Sequence, residues 1–459
     1  MHTDISSIVT EWKYIPCGRG NNSPAKVNNP LSFAVFFNSG DPNKGSNMEQ
    51  QFREGCEATP ESVGMSSRKL ENLYNLVDGY ITDGKIPGAI CMVARDNKVV
   101  YQSRHGNMDD EAAKPMQMDA IFRIYSMTKP IVSVALMQLY EQGRFQLDDP
   151  VSMYIPEFKG LRVLDKGGVA DNYTVSVPER EMTVRDLLMH TSGIVSPSPE
   201  LPVGRLYQRA DLYKSDTLAS MVEVLGTLPL HCHPGAEWNY SISTDIVGYL
   251  CEVFSGQPLD RYLEQNILEP LHMTDSGFHV DPRKADRFTA CYQFTGEGSK
   301  QYALQDAPAE SRFLKPKTYF SGAGGMVSTA HDYMQFCKML MGGGELDGER
   351  IIGSRTLMYM ASNHLPDNCD LAAMGQPQFN ETTMEGIGFG LGFAVLLDPV
   401  VAQVIGTPGE YYWGGAASTA FYISPEEEMA VVFLTQLMPS GSHPFRRQLR
   451  STVYGAIAD

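Results

Sequence analysis

Three groups of residues, far apart in the chain, have the types and spacing needed for nucleophilic chemistry. They are Ser126 with Lys129, Tyr240, and the run Trp413-Gly414-Gly415. In Ser126-Met127-Thr128-Lys129 the serine stands at the mouth of the periodic segment Pro130 to Tyr140. Residues three apart share a helix face, so Lys129 can reach back to Ser126. A serine hydroxyl is a weak nucleophile at neutral pH and needs a neighbouring base. Desolvation disfavours an ammonium, so a buried lysine can serve as that base without a histidine. The start of a helix also brings free N–H groups and positive partial charge to the serine. Taken alone, the tetrapeptide reads as a serine N-cap followed by a solvated lysine. The chain repeats the spacing at Ser23/Lys26 and Ser66/Lys69.

Tyr240 sits in Trp238-Asn239-Tyr240-Ser241-Ile242-Ser243, ahead of Asp245 and an apolar run. Beside a cation, a tyrosine hydroxyl ionises more easily and can relay a proton to a leaving group. By itself it reads as a packed aromatic. Glycines at 414 and 415 let backbone approach a ligand, and a nearby N–H could complete an oxyanion hole with that of Ser126. Alone, the run reads as a strand-entry turn.

The elements that must position these groups are legible in part. Apolar residues recur at helical spacing from Ser66 to Thr82, and Ala89–Ala94, Asp96-Asn97 and Val99–Ser103 read as a hairpin. Pro130 suits the first turn of the helix after Ser126. Thr183 to Gly193 reads as a short helix with Thr183 as N-cap, Asp186 three residues on, and Gly193 as the stop. Ser196–Gly204 and Leu365–Met384 read as loops, and the stretches Ser196–Tyr213 and Leu365–Met384 are expected to wall a pocket. Strands are expected at Leu391–Leu397, Ala417–Ile423 and Met429–Leu434, and a terminal helix at Pro444–Ile457. Strands at both ends around a helical middle predict an α/β fold of α+β type. Its α/β lobe is drawn from about 58–125 and 305–457, with a helical lobe at about 126–304 inserted. Residues 1–57, rich in Asn, Gly, Ser and Pro, read as a loosely ordered extension.

Composition narrows the classes. The chain has 459 residues and a formal net charge of −17, without a basic cluster, which argues against nucleic acid and anionic membranes as partners. No apolar run approaches membrane-spanning length, and the N-terminus lacks a basic region followed by an apolar one. Eight scattered cysteines without C-x-x-C are expected to be mainly buried thiols, which points to a cytoplasmic protein. There is no G-x-S-x-G for an α/β-hydrolase and no H-E-x-x-H for a metallohydrolase; His231-Cys232-His233 reads as loop. No metal or cofactor is implied, and nothing fixes an oligomeric state.

In this order the three groups resemble the penicillin-recognising serine hydrolases, the superfamily of serine β-lactamases and penicillin-binding proteins. The chain is most similar to the class C β-lactamase-like esterases, the family VIII carboxylesterases. The resemblance runs through FRIYSMTKP at 122–130, MTVRDLLMHTSGI at 182–194, Pro234-Gly235 before Tyr240-Ser241, and MTDSGF at 273–278. It continues with SGAGGMVSTAHDY at 321–333 and YYWGGAASTAFYISP at 411–425. It implies an antiparallel sheet flanked by helices, with Ser126 as acylated nucleophile and Lys129 as its partner. Tyr240 would be base in acylation and acid toward the leaving alcohol, titrating with Lys129 as a coupled pair. The N–H groups of Ser126 and Ala416 would form the oxyanion hole, and Tyr125, Ser241, Trp413, Gly414 and Gly415 would line the substrate pocket.

Two departures redirect the chemistry. Where class C β-lactamases have Tyr-x-Asn, Ile242 stands here, with Ser241 or Ser243 as partial substitutes. Their Lys-Thr-Gly is replaced by Trp413-Gly414-Gly415, which removes the charge-assisted bonds to a substrate carboxylate and offers an apolar wall. The expected activity is hydrolysis of small, short-chain carboxylic esters. Acyl transfer follows, and then amide, D-peptide or β-lactam hydrolysis, with β-lactam turnover a weak side activity. A non-catalytic relative would usually have lost one of Ser126, Lys129 and Tyr240.

Overall fold

The segment Gly88–Arg95 is buried almost throughout, as a strand covered on both faces must be. The computed structural model describes residues 55–165, 173–375 and 384–458, and there this strand lies within a large sheet. In chain order come α1 (Ser67–Thr82), β1 (Gly88–Arg95), β2 (Lys98–Asp109), β3 (Lys114–Pro115) and α2 (Thr128–Glu141). Then follow α3 (Val184–Met189), α4 (Pro202–Arg209), α5 (Ser243–Ser255) and α6 (Ala330–Met341). The chain closes with β4 (Ile387–Phe389), β5 (Ala394–Leu396), β6 (Tyr411–Gly414), β7 (Ala420–Ser424), β8 (Met429–Thr435) and α7 (Phe445–Tyr454). The eight strands form one antiparallel sheet in the order β4-β5-β6-β7-β8-β1-β2-β3. The β1–β8 pairing therefore joins the two ends of the chain at the centre of the sheet.

Period-two alternation splits the sheet into two faces. Ile90, Met92, Val432 and Leu434 belong to the core that includes Tyr333, Phe336 and Cys337 of α6. Cys91, Val93, Val431 and Phe433 belong to the core that includes Leu70, Leu73 and Val77 of α1 and Leu449 and Val453 of α7. The hairpin turn takes Asp96 and Asn97 through positive φ (51° and 59°), which matches the strand twist.

Sequence and structure part at several elements. α3 is closed at its start by the expected Thr183–Asp186 capping box but stops at His190, in left-handed conformation at φ 61°, not at Gly193. α4 begins inside the stretch Ser196–Gly204 read as loop and runs on beyond it. Leu201-Pro202 begins it, since proline suits a first helical turn, and Val203, Leu206 and Tyr207 bury one side. The strand expected at Leu391–Leu397 is only Ala394–Leu396, because Gly392 turns at φ 96° against Ser133. No described helix is long and apolar enough to cross a membrane. Cys91, Cys232, Cys251, Cys291 and Cys337 are buried thiols. Ser23/Lys26, most of the 1–57 extension and part of the Leu365–Met384 stretch lie outside the described residues.

Candidate active site

Ser126 is not the first residue of α2. It lies in a single 3₁₀ turn, Tyr125–Met127, that precedes the helix, and Met127 rather than Ser126 holds the N-cap position. Tyr125 adopts φ 43°, a left-handed conformation uncommon for a bulky residue and costly unless the surroundings impose it. They do so here. Phe122 and Arg123 pair with Ser328 and Val327, Ile124 N–H donates to Met326 O, and the Tyr333 hydroxyl donates to Met127 O. Arg123, fully buried, is anchored to Asp306, Ser311, Thr289 O and Gln436.

Lys129 is 4% exposed. Its Nζ donates to Ser126 Oγ at 3.3 Å and to Ala323 O at 2.7 Å, and stands 4.5 Å from the centroid of the Tyr240 ring. The Ala323 carbonyl is held in turn. Asp245 Oδ1 accepts from Ala323 N–H at 2.9 Å and from the Ser321 hydroxyl at 2.7 Å. Gly322 is required for this turn, because a Cβ would come within 2.4 Å of Thr244 O. Burial pushes the Asp245 carboxyl above its ordinary range, opposed by the Ala323 N–H, the Ser321 hydroxyl and the charge of Lys129.

Tyr240 is fixed by aromatic neighbours: His190, Trp238 and Trp413 lie at ring-centroid distances of 5.0, 6.2 and 5.4 Å. Behind it, His190 Nδ1 meets Ser241 Oγ at 3.0 Å, Ser241 donates to Ser243 Oγ at 2.7 Å, and Ser243 meets Ser192 at 2.8 Å. Burial, and after it the charge of Lys129, holds the His190 imidazole well below its ordinary pKa.

The third group arrives on β6. Gly415 packs so closely on the Ser126 segment that a Cβ would lie 2.5 Å from Ile124 O and 2.2 Å from Thr419 Oγ1. This contact sets Ala416 beside the Ser126 turn. Among the described residues, neither the Ser126 nor the Ala416 amide donates a backbone hydrogen bond, so both donors remain available to a ligand.

Ser126, Tyr240, Trp413, Gly414, Gly415 and Ala416 line one cavity of ≈ 300 Å³. Two residues expected in its wall are elsewhere. Ser241 is 2% exposed, its hydroxyl committed to His190 and Ser243. Tyr125 packs its ring on Phe313. Of the two stretches expected to wall the pocket, Leu371 and Met384 line the cavity and Ser196–Tyr213 does not; Ser196 instead donates to Tyr240 O. Sequence reasoning missed Asp245, Ala323 and Trp238. A carboxylate beside an apolar run was the available signal for Asp245. Trp238 lines the cavity, and its buried indole N–H has no partner among the described residues.

A model of the beta-lactamase family matches residues 73–453. This chain belongs to the beta-lactamase family. It is 31% identical over 402 residues to esterase EstB of Burkholderia gladioli, covering 82% of this chain and 93% of the relative. It is 27% identical over 386 residues to monacolin J acid methylbutanoyltransferase of Aspergillus terreus, covering 81% and 92%. Among solved structures, EstCE1, described as a hydrolase with promiscuous acyltransferase activity, superposes with a TM-score of 0.71 at 27% identity. That match covers 84% of this chain and 98% of EstCE1. The antiparallel sheet with flanking helices is the β-lactamase/transpeptidase fold read from the motifs.

Proposed function

We propose that this protein is a serine carboxylesterase that works through an acyl-enzyme on Ser126. The observation that carries the reading is the buried Lys129 Nζ, shared between Ser126 Oγ and Ala323 O beneath the ring of Tyr240. Ser126 Oγ attacks the ester carbonyl, and its proton passes to the Lys129–Tyr240 pair, which holds one proton fewer than an ammonium and a phenol together. The carbonyl oxygen gains negative charge opposite the Ser126 and Ala416 N–H groups, donors that need no reorganisation during reaction. Tyr240 then returns the proton to the departing alkoxide, which leaves as alcohol. Water attacks the acyl-enzyme and gives its proton to the same pair, which passes it to the departing Ser126 Oγ, releasing the acid and the free serine. Trp413 in place of an ammonium favours a neutral ester over a carboxylate-bearing β-lactam or peptide. EstB and EstCE1 support ester hydrolysis.

Acyl transfer is the second reading. It uses the same acyl-enzyme with an alcohol in place of water, and the methylbutanoyltransferase relative favours it.

The test measures short-chain aryl ester and chromogenic cephalosporin turnover by wild type, Ser126→Ala and Tyr240→Phe. Ester turnover lost in Ser126→Ala, with slow cephalosporin turnover by wild type, is expected. Full ester turnover in Ser126→Ala sinks the mechanism. Efficient cephalosporin turnover with negligible ester turnover overturns the esterase reading.

A further inference from the structure

The cavity that holds Ser126 does not end at Trp413. It extends to the interface between the sheet and α7, where Leu396, Tyr412, Tyr422, Phe433, Ser440 and Leu449 line it. Tyr412 and Tyr422 are cross-strand partners, and Val431 continues the same register on β8, so all three share the face that α7 covers. At ≈ 300 Å³ the whole cavity, its Ser126 end included, matches the lower range of sites for drug-sized ligands and exceeds what an acetyl group fills. Its wall is largely apolar, with a few polar exceptions. Arg450 is paired with the buried Glu410 and lies over the rings of Tyr412 and Tyr422, at 4.8 and 4.5 Å from their centroids. The hydroxyls of Tyr422, which is 5% exposed, and of Ser440 have no hydrogen-bond partner among the described residues. A buried hydroxyl left unpartnered is costly, and a ligand oxygen placed there removes the cost.

We propose that the part of the cavity beneath α7 is a subsite for the long arm of the ester, an apolar chain carrying an oxygen function near its far end. This rests on the ester reading above and deepens it from short to extended substrates. The arm is seated by its apolar length, and the Tyr422 and Ser440 hydroxyls recognise its terminal oxygen.

Two ester series test it: para-nitrophenyl esters with acyl chains from acetate to decanoate, and alkyl acetates with the alcohol lengthened likewise. Binding is measured on Ser126→Ala and turnover on wild type, and the series that gains identifies the arm. The expected gain is about threefold to fourfold per added methylene along one series, from burial of each group. A terminal hydroxyl on that chain should raise it further. Ala420, the cross-strand neighbour of Gly414, lines the cavity, and Ala420→Leu should cut the long-to-short ratio of kcat/KM at least about tenfold. Tyr422→Phe should weaken the preference for the terminal hydroxyl, with the Ser440 hydroxyl holding the remainder. Flat binding along both series, or a ratio and a hydroxyl preference that neither variant changes, overturns the subsite. Chain-length-dependent binding without turnover by wild type would sustain the subsite and sink the ester-hydrolysis reading instead.

Discussion

Ser66/Lys69 and Ser126/Lys129 share the same spacing and do different work. Ser66 is the N-cap of α1: its Oγ accepts from the Lys69 backbone N–H at 3.4 Å, and Lys69 is exposed. At Ser126 the side-chain ammonium, not the backbone, meets the serine, and the lysine is buried. The difference lies in what covers each pair. Among the described residues nothing comparable caps Lys69, whereas Lys129 is enclosed by the Ala323 turn, Tyr240 and the body of α2. A tetrapeptide places a lysine one turn from a serine; segments about one and two hundred residues away bury that lysine against it.

The comparison breaks most sharply at the proposed nucleophile. Ser126→Ala should lower kcat on aryl esters by about 10⁴-fold or more, measured in steady state, while Ser66→Ala leaves kcat unchanged. Tyr240→Phe keeps the ring over Lys129 but removes the proposed proton carrier, so kcat should fall about 10²–10⁴-fold with KM little altered. The Asp245 tether is next. Asp245→Ala frees the turn that presents Ala323 O to Lys129 and should cost about a hundredfold in kcat. Asp245→Asn, whose amide oxygen accepts the same two bonds, should recover most of it. Rescue absent in Asn would point to the charge rather than the tether.

How far all this was legible in the sequence differs by element. Thr183 with Asp186, Asp96-Asn97 and the α1 periodicity are local signals, and each formed the element it announced. The left-handed Tyr125 and the stop at His190 were not readable, because residues from other segments impose them. Likewise α4 hides in a proline-rich stretch whose apolar side is recognised only once it has a core to meet. At the site, the residues with reactive side chains were visible. The Ala323 carbonyl was not, since any residue type supplies one; the Ser126 and Ala416 amides were legible only through the helix start and the family resemblance. Ser241 looked available from its place beside Tyr240, and three-dimensional packing turned its hydroxyl inward.

Smaller effects separate the pairs in stability. His190 stays neutral when folded at pH values where the unfolded chain, near its ordinary 6.5, takes up a proton. Stability should therefore fall as pH drops below that value, with a limiting slope of about 1.4 kcal/mol per pH unit from this one proton. His190→Asn, which tolerates the left-handed backbone, should flatten the pH dependence of the urea midpoint. Smallest of all, Ser66→Ala should cost about 0.5–2 kcal/mol through the lost cap, read from the same denaturation curve.

The most direct measurement of the central claim is covalent. Incubation with an aryl alkylphosphonate, followed by peptide mass spectrometry, should place a single adduct on Ser126 and leave the Ser66 peptide unmodified. An adduct on another serine with Ser126 untouched, or undiminished labelling of Ser126→Ala, would contradict it.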